Sequence, residues 1–209
     1  MIKIKLDIRI AQVLIALLVV SGAAMAYAQS QQPETPAVAT FVDATRDYVT
    51  MHRRFESVVG RIEINSSVDE INRSMAGLAA AIRAERRDAR QGDFFTPALA
   101  RELRARINNA LLDHGFTAED IRASARVDAI DTRPFRPEVN GPFFWVLAAA
   151  MFPCVIESLP PLPAELQYRI VGNDLLLIDV HASLIVDFLP QALIEMTISS
   201  GDREKSRFF

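Results

Sequence analysis

The sequence predicts an α+β fold: an N-terminal helical hairpin or three-helix cluster packed on a small C-terminal three-stranded antiparallel meander. Three observations carry this expectation. Residues 166–171, 175–180 and 184–189 alternate apolar and polar positions around the turn signals Gly172-Asn173-Asp174 and His181-Ala182-Ser183. Upstream, apolar residues recur at steps of three and four behind capping residues. Between the two regions stands LPPLP, whose prolines favour an extended approach.

Residues 1–28 have the three parts of a secretory signal. Lys3, Lys5 and Arg9 form a basic end, an apolar run follows, and Ala26-Tyr27-Ala28 offers a small-x-small cleavage site before Gln29. An uncleaved anchor is the alternative, because the 19 residues from Ile10 to Ala28 come close to bilayer length. The expected location is periplasmic or secreted, with no stable membrane insertion after cleavage. Cleavage removes Lys3, Lys5, Arg9 and Asp7 and shifts the net charge from −3 to −5, which argues against nucleic acid as a partner. Cys154 is the single cysteine, so no intrachain disulfide forms, and its apolar surroundings suit a buried, inert thiol.

Residues 29–38, with Pro33 and Pro36, read as a flexible leader. The helical region is expected over 39–125. Its first helix, 39–59, carries an apolar stripe through Phe41, Ala44, Tyr48, Met51 and Phe55 and stops near Gly60. The second opens on the capping box Ser67-Val68-Asp69-Glu70 and buries Ile71, Met75, Leu78 and Ile82. Its basic end, with Arg83, Arg86, Arg87 and Arg90, reads as a solvated face near the negative end of the helix dipole. The third starts at Thr96-Pro97 with Leu99, Leu103, Ile107 and Leu111 as its stripe and ends at Gly115, and Thr117 starts a short helix to about Ala125.

Residues 126–165 read as an irregular and apolar connection, in which 143–156 form a buried helix or strand. In the meander, 166–197 with its closing short helix, three-residue loops pair Leu166, Tyr168 and Ile170 with Val180, Ile178 and Leu176. These in turn meet Leu184, Val186 and Phe188. That face is wholly apolar. The other, with Gln167, Arg169, Leu175, Leu177, Asp179, Ile185 and Asp187, is expected to be partly wet. Residues 198–209 form a tail.

No sequence motif for catalysis is present: no G-x-S-x-G, phosphate-binding glycine loop, H-E-x-x-H or Cys-x-x-Cys. The three histidines fall on separate elements. His52, beside Arg53 and Arg54, is expected in solvent, and His114 caps a helix end. His181 with Asp179 and Asp187 would make an Asp/His metal site, but an Arg169–Asp179 cross-strand pair is the better reading. No catalytic, cofactor-binding or metal-binding residue is therefore assigned, and no cofactor is expected.

The stretch LPPLPAELQYRIVGNDLLLIDVHASLIVDFLPQAL resembles the C-terminal segment of exported bacterial proteins of unknown function, and RAERRDARQGDFFTP resembles a segment that accompanies it. Tyr168-Arg169, Val171-Gly172, Asp174 and Leu176 to Asp179 also resemble the terminal hairpin of the periplasmic nickel/cobalt homeostasis family. The histidine-rich portion of that family is missing, so the resemblance does not carry its metal binding over. The expected function is a non-enzymatic envelope protein that contacts another protein or the cell wall. A periplasmic metal-homeostasis accessory is the alternative, and a hydrolase of unrecognised type is third.

Overall fold

The computed structural model describes residues 35–59, 67–125 and 135–194 of the 209-residue chain. The expected signal, the leader up to 34, the 126–134 part of the connection and the tail lie outside the described residues. Helices α1 (Pro36–Val59), α2 (Val68–Glu85), α3 (Pro97–Asp113) and α4 (Ala118–Ala123) come first. A 3₁₀ turn at Trp145–Leu147 and the short α5 (Pro153–Ser158) lead to β1 (Leu166–Val171), β2 (Asp174–Asp179) and β3 (Leu184–Leu189). The strands form one antiparallel sheet in the order β1-β2-β3. The α+β architecture is the one the sequence predicts.

The helix starts follow their capping chemistry. Pro36 opens α1 three residues ahead of the expected start, since its fixed φ suits a first helical turn. Ser67 and Glu70 form the reciprocal box that starts α2. Thr96 accepts from the Leu99 amide at the start of α3, and Thr117 with Asp120 boxes α4. His114 Nδ1 lies 2.9 Å from the Ala110 carbonyl at the end of α3, the expected capping position.

Phe41, Tyr48 and Val49 of α1, Leu78 and Ile82 of α2, and Leu99, Leu103, Ile107 and Leu111 of α3 bury against one side of the sheet. Phe41 stacks between Phe95 and Tyr168, with ring centroids at 5.9 and 6.4 Å. Each such fully buried side chain contributes on the order of 1.5–3 kcal/mol. Helices α1 and α2 approach closely at Gly77, where a Cβ would sit 2.8 Å from Val59 Cγ1.

The strand register departs from the expectation in a way that changes the molecule. Leu166 pairs with Asp179 and Val171 with Asp174, around a two-residue Gly172-Asn173 turn rather than a three-residue loop. Gly172 takes φ +61°, which suits the tight hairpin turns that match strand twist. Between β2 and β3, Leu176 meets Phe188 as expected, but a shift between Leu177 and Ile178 brings Ile178 to Ile185 instead of Val186. A slip of one residue exchanges the faces of a strand. Leu175, Leu177, Asp179 and Asp187, expected on the wet side, turn toward the helices. Leu176, Ile178 and Ile185 pack with Phe143 on the far side. Arg169 is thereby separated from Asp179. Its guanidinium donates to Gln167 Oε1 at 2.6 Å and lies 5.3 Å over the Trp145 ring.

Three further expectations are corrected. Residues 143–156 are neither a helix nor a strand through the core: Phe144, Trp145 and Val146 are exposed, and Pro153 starts α5 afresh. Arg86 is not on a solvated face. It donates to Asn140 Oδ1 and to the Val186 carbonyl, and its guanidinium lies over Tyr48 and Phe94 at 5.3 and 5.4 Å. Beyond Pro190 no short helix forms among the described residues. Instead the amides of Gln191, Leu193 and Ile194 donate to Asp174 Oδ1, the Asn173 carbonyl and Asn108 Oδ1. Cys154 is buried, as expected.

Buried Asp187 accepts from the amides of Gly92, Phe94, Phe95 and Phe188 at 2.8–2.9 Å and so clamps the α2–α3 turn to β3. Burial raises its carboxyl above the ordinary value, and the four amides hold the rise in check. The Asp187→Asn variant keeps the shape but sets an NH₂ donor against backbone amides that need an acceptor, so denaturant unfolding at pH 4 should show a loss of about 1–3 kcal/mol. A folded-state value above the unfolded one means that Asp187 stabilises most below its unfolded value, about 3.9, and less as pH rises through the folded one. The gap between wild type and Asp187→Asn should therefore narrow from pH 4 to pH 7, and a widening gap would contradict the raised value.

Candidate functional site

Helix α1 places His52 and Glu56 four residues apart, on one helical face, with Arg53 beside them. His52 is not in solvent as the sequence suggested. It continues the stripe Phe41, Thr45, Tyr48 into the core and is completely buried. The physical reason is Asp179 at the end of β2, also completely buried.

The Asp179 carboxylate collects four donors. Oδ2 accepts from Tyr48 Oη at 2.8 Å and stands 2.6 Å from His52 Nδ1, while Oδ1 accepts from the amides of His181 and Ala182 at 3.0 and 2.9 Å. The Asp179 oxygens are the acceptors of this cluster, so His52 Nδ1 carries the proton that it donates and Nε2 is the ring position left without a protein partner. Burial pulls the His52 imidazolium down. The hydrogen bond and charge of Asp179, with the charges of Glu56 and Glu165, more than offset this, and the ring stands above its ordinary value. Burial first, and Asp179 second, push the Tyr48 hydroxyl well up, which keeps it a neutral donor.

The amide bonds to Asp179 also shape the β2–β3 turn, where Ser183 adopts φ +46°. That turn sets the His181 ring 5.4 Å from the His52 ring, at 51° to it. His181 Nδ1 lies 3.1 Å from Glu56 Oε1, within ion-pair distance but without hydrogen-bond alignment. One ligand atom from each of His52, Glu56 and His181 falls within 4.8 Å of the others. A tetrahedral site with bonds of about 2.0–2.1 Å needs ligand atoms roughly 3.3 Å apart, so a small contraction suffices.

Glu165, just ahead of β1, borders the same place. Its carbonyl accepts from the Val180 amide at 3.0 Å, and Arg53 Nε donates to its Oε1 at 2.6 Å. Burial raises the Glu165 carboxyl, but Arg53 and His52 lower it further, so it lies below the ordinary range. Among the described residues, the buried side-chain polar atoms without a hydrogen-bond partner are His52 Nε2, Glu165 Oε2 and His181 Nδ1. Two of them belong to this cluster and the third, on Glu165, borders it.

The Asp179, Asp187 and His181 constellation considered from sequence is not the one assembled. Asp187 is committed to the α2–α3 turn, and Asp179 orients both histidines instead of joining them as an equal. The residues missed are His52 and Glu56. The signal available was the i, i+4 spacing of a histidine and a carboxylate on one helix, with His52 in phase with the buried stripe. An open groove of about 480 Å³ beside β1, lined by Met151, Ile156, Leu159, Pro160, Pro161 and Tyr168 among others, shares no residue with the cluster. No helix among the described residues is long and apolar enough to cross a membrane.

Tyr48→Phe removes one buried donor from Asp179 without opening a cavity. Urea unfolding should show a loss of about 1–3 kcal/mol. Loss of the charge-assisted bond should also weaken the hold on His52, seen as a shift of its ring resonances in NMR spectra. No protein-family model, curated protein or solved structure matches this chain.

Proposed function

We propose that the chain is an exported protein that binds a divalent transition metal between α1 and the β2–β3 turn and acts by holding the ion rather than by catalysis. The observation that carries this reading is His52 Nε2: completely buried, without a partner, on a ring whose Nδ1 is fixed by a carboxylate, and grouped with Glu56 and His181. Metal-ligating histidines characteristically donate their second ring N–H to such a carboxylate, which orients the ring and raises its basicity. Two imidazoles and a carboxylate suit zinc and its neighbours rather than magnesium or calcium.

A contact with an envelope protein or the cell wall remains compatible with this role, the ion either ordering the contact surface or being passed across it. The hydrolase reading is favoured by one feature only. Three protein ligands and an open fourth position are also the ligand set of catalytic zinc.

Calorimetric titration of the chain from Gln29 with zinc, cobalt, nickel and copper tests the proposal. One ion per chain is expected, with binding lost in His181→Ala, whose half-exposed ring can be removed with little harm to the fold. His52→Ala should lose binding too. At a metal concentration one hundred times Kd, unfolding should become harder by about 2.7 kcal/mol, and chelator should remove the gain. Absence of binding for all four ions would overturn the reading.

A further inference from the structure

We propose that Glu165 is the fourth ligand of this site, released by Arg53 as the ion binds, so that the loaded centre is a closed set of two histidines and two carboxylates. The inference rests on the metal-binding reading above and specifies its coordination. It starts from the two oxygens of one side chain. Oε1 is held by Arg53 Nε at 2.6 Å, whereas Oε2 is buried with no partner. The residue as a whole is 7% exposed. A carboxylate so placed is desolvated without being satisfied, an arrangement that native structures rarely tolerate without a reason.

Position gives the reason. The Glu165 carbonyl is bonded to the Val180 amide, one residue from both Asp179 and His181, and Arg53 is the helical neighbour of His52. Glu165 therefore borders the cluster from the β1 side, while Glu56 belongs to it from α1. The Glu165 oxygens stand outside the group of ligand atoms that lie within 4.8 Å of one another. Arg53 holds them back, and it is a weak restraint. Its side chain is 64% exposed, so its pull on Glu165 is screened by solvent. A divalent cation beside His52 offers Glu165 a stronger and drier partner, and the guanidinium then returns to water at small cost.

Closure has a chemical meaning. Structural zinc sites are four-coordinate with protein ligands alone, whereas catalytic sites keep a position for water or substrate. A fourth carboxylate leaves no such position. It also balances charge: two carboxylates neutralise the ion, with Asp179 behind His52 as an outer partner. The site is then built to retain an ion, which fits storage or ordering of a surface and opposes hydrolysis.

Cobalt(II) reports the coordination directly, because a tetrahedral ion absorbs far more strongly in the visible than a five- or six-coordinate one. Wild-type protein titrated with cobalt should give the intense tetrahedral spectrum. Glu165→Gln, which keeps the size but lacks the charge, should weaken cobalt and zinc binding by at least about tenfold and lose that intensity. Arg53→Ala should bind as tightly as wild type or more tightly, because it frees the ligand. Glu165→Gln with an unchanged spectrum and affinity would overturn the inference. So would Arg53→Ala weakening binding as much as Glu165→Gln, since Glu165 would then be serving through its ion pair. A wild-type protein that binds neither ion fails the functional reading itself, before Glu165 is in question.

Discussion

The buried carboxylate of Asp179 is the interaction on which the rest of this structure depends. Leaving water is costly for an ionised acid, and the cost is tolerable only when several donors surround it. Here the donors come from two distant parts of the chain. Tyr48 and His52 belong to α1, while the His181 and Ala182 amides belong to the β2–β3 turn. The carboxylate thus fixes how the helix sits on the sheet and, through the turn, where His181 points. Removing any single donor leaves a charge less satisfied in a dry place, so the four act as a unit.

Asp187 does the same on β3 for the α2–α3 turn, with backbone amides in place of side chains. The two acids lie on the helix-facing side of the sheet, among Leu175, Leu177 and Val186. That placement explains why the faces were misjudged from sequence. Alternation assigns charged residues to solvent, and in this sheet both acids are inside because each ties down a neighbouring element. The turn length compounds the error, since Gly172-Asn173 closes the hairpin alone and leaves Asp174 in β2. A single residue of register moved two carboxylates from the rim of the molecule to its centre.

What was legible in the sequence is what local chemistry decides. The Ser67–Glu70 box, Thr96-Pro97 and Thr117 each mark a helix start, because a cap needs only residues within one turn of it. The three strands were legible from alternation, and their outer limits differ from expectation by no more than a residue. Residues 143–156 were not legible: an apolar run looks buried, yet Phe144, Trp145 and Val146 lie on the surface. The candidate site was hidden for a different reason. His52 and His181 are on separate elements, and His52 stands next to two arginines that suggest solvent. Only the tertiary fold shows that Asp179 has drawn it inward.

The cluster also weighs on the stability of the fold. A buried polar atom left without a partner costs roughly 1–3 kcal/mol, and domains of this kind have only about 5–15 kcal/mol in total. Two such atoms on His52 and Glu165, with His181 Nδ1 held only by its ion-pair contact to Glu56, are therefore a considerable fraction of the whole. Aliphatic side chains of similar volume in place of Glu165 and His181 would remove part of that cost, whereas one in place of His52 would take a donor from Asp179. A site that keeps two imidazoles and two carboxylates together forgoes that stability, and the proposed cation is what offsets it: one positive centre gives every unpartnered atom a partner at once. In this view, the ion completes the polar part of the core that Asp179 begins, and the loaded form is the more firmly folded one.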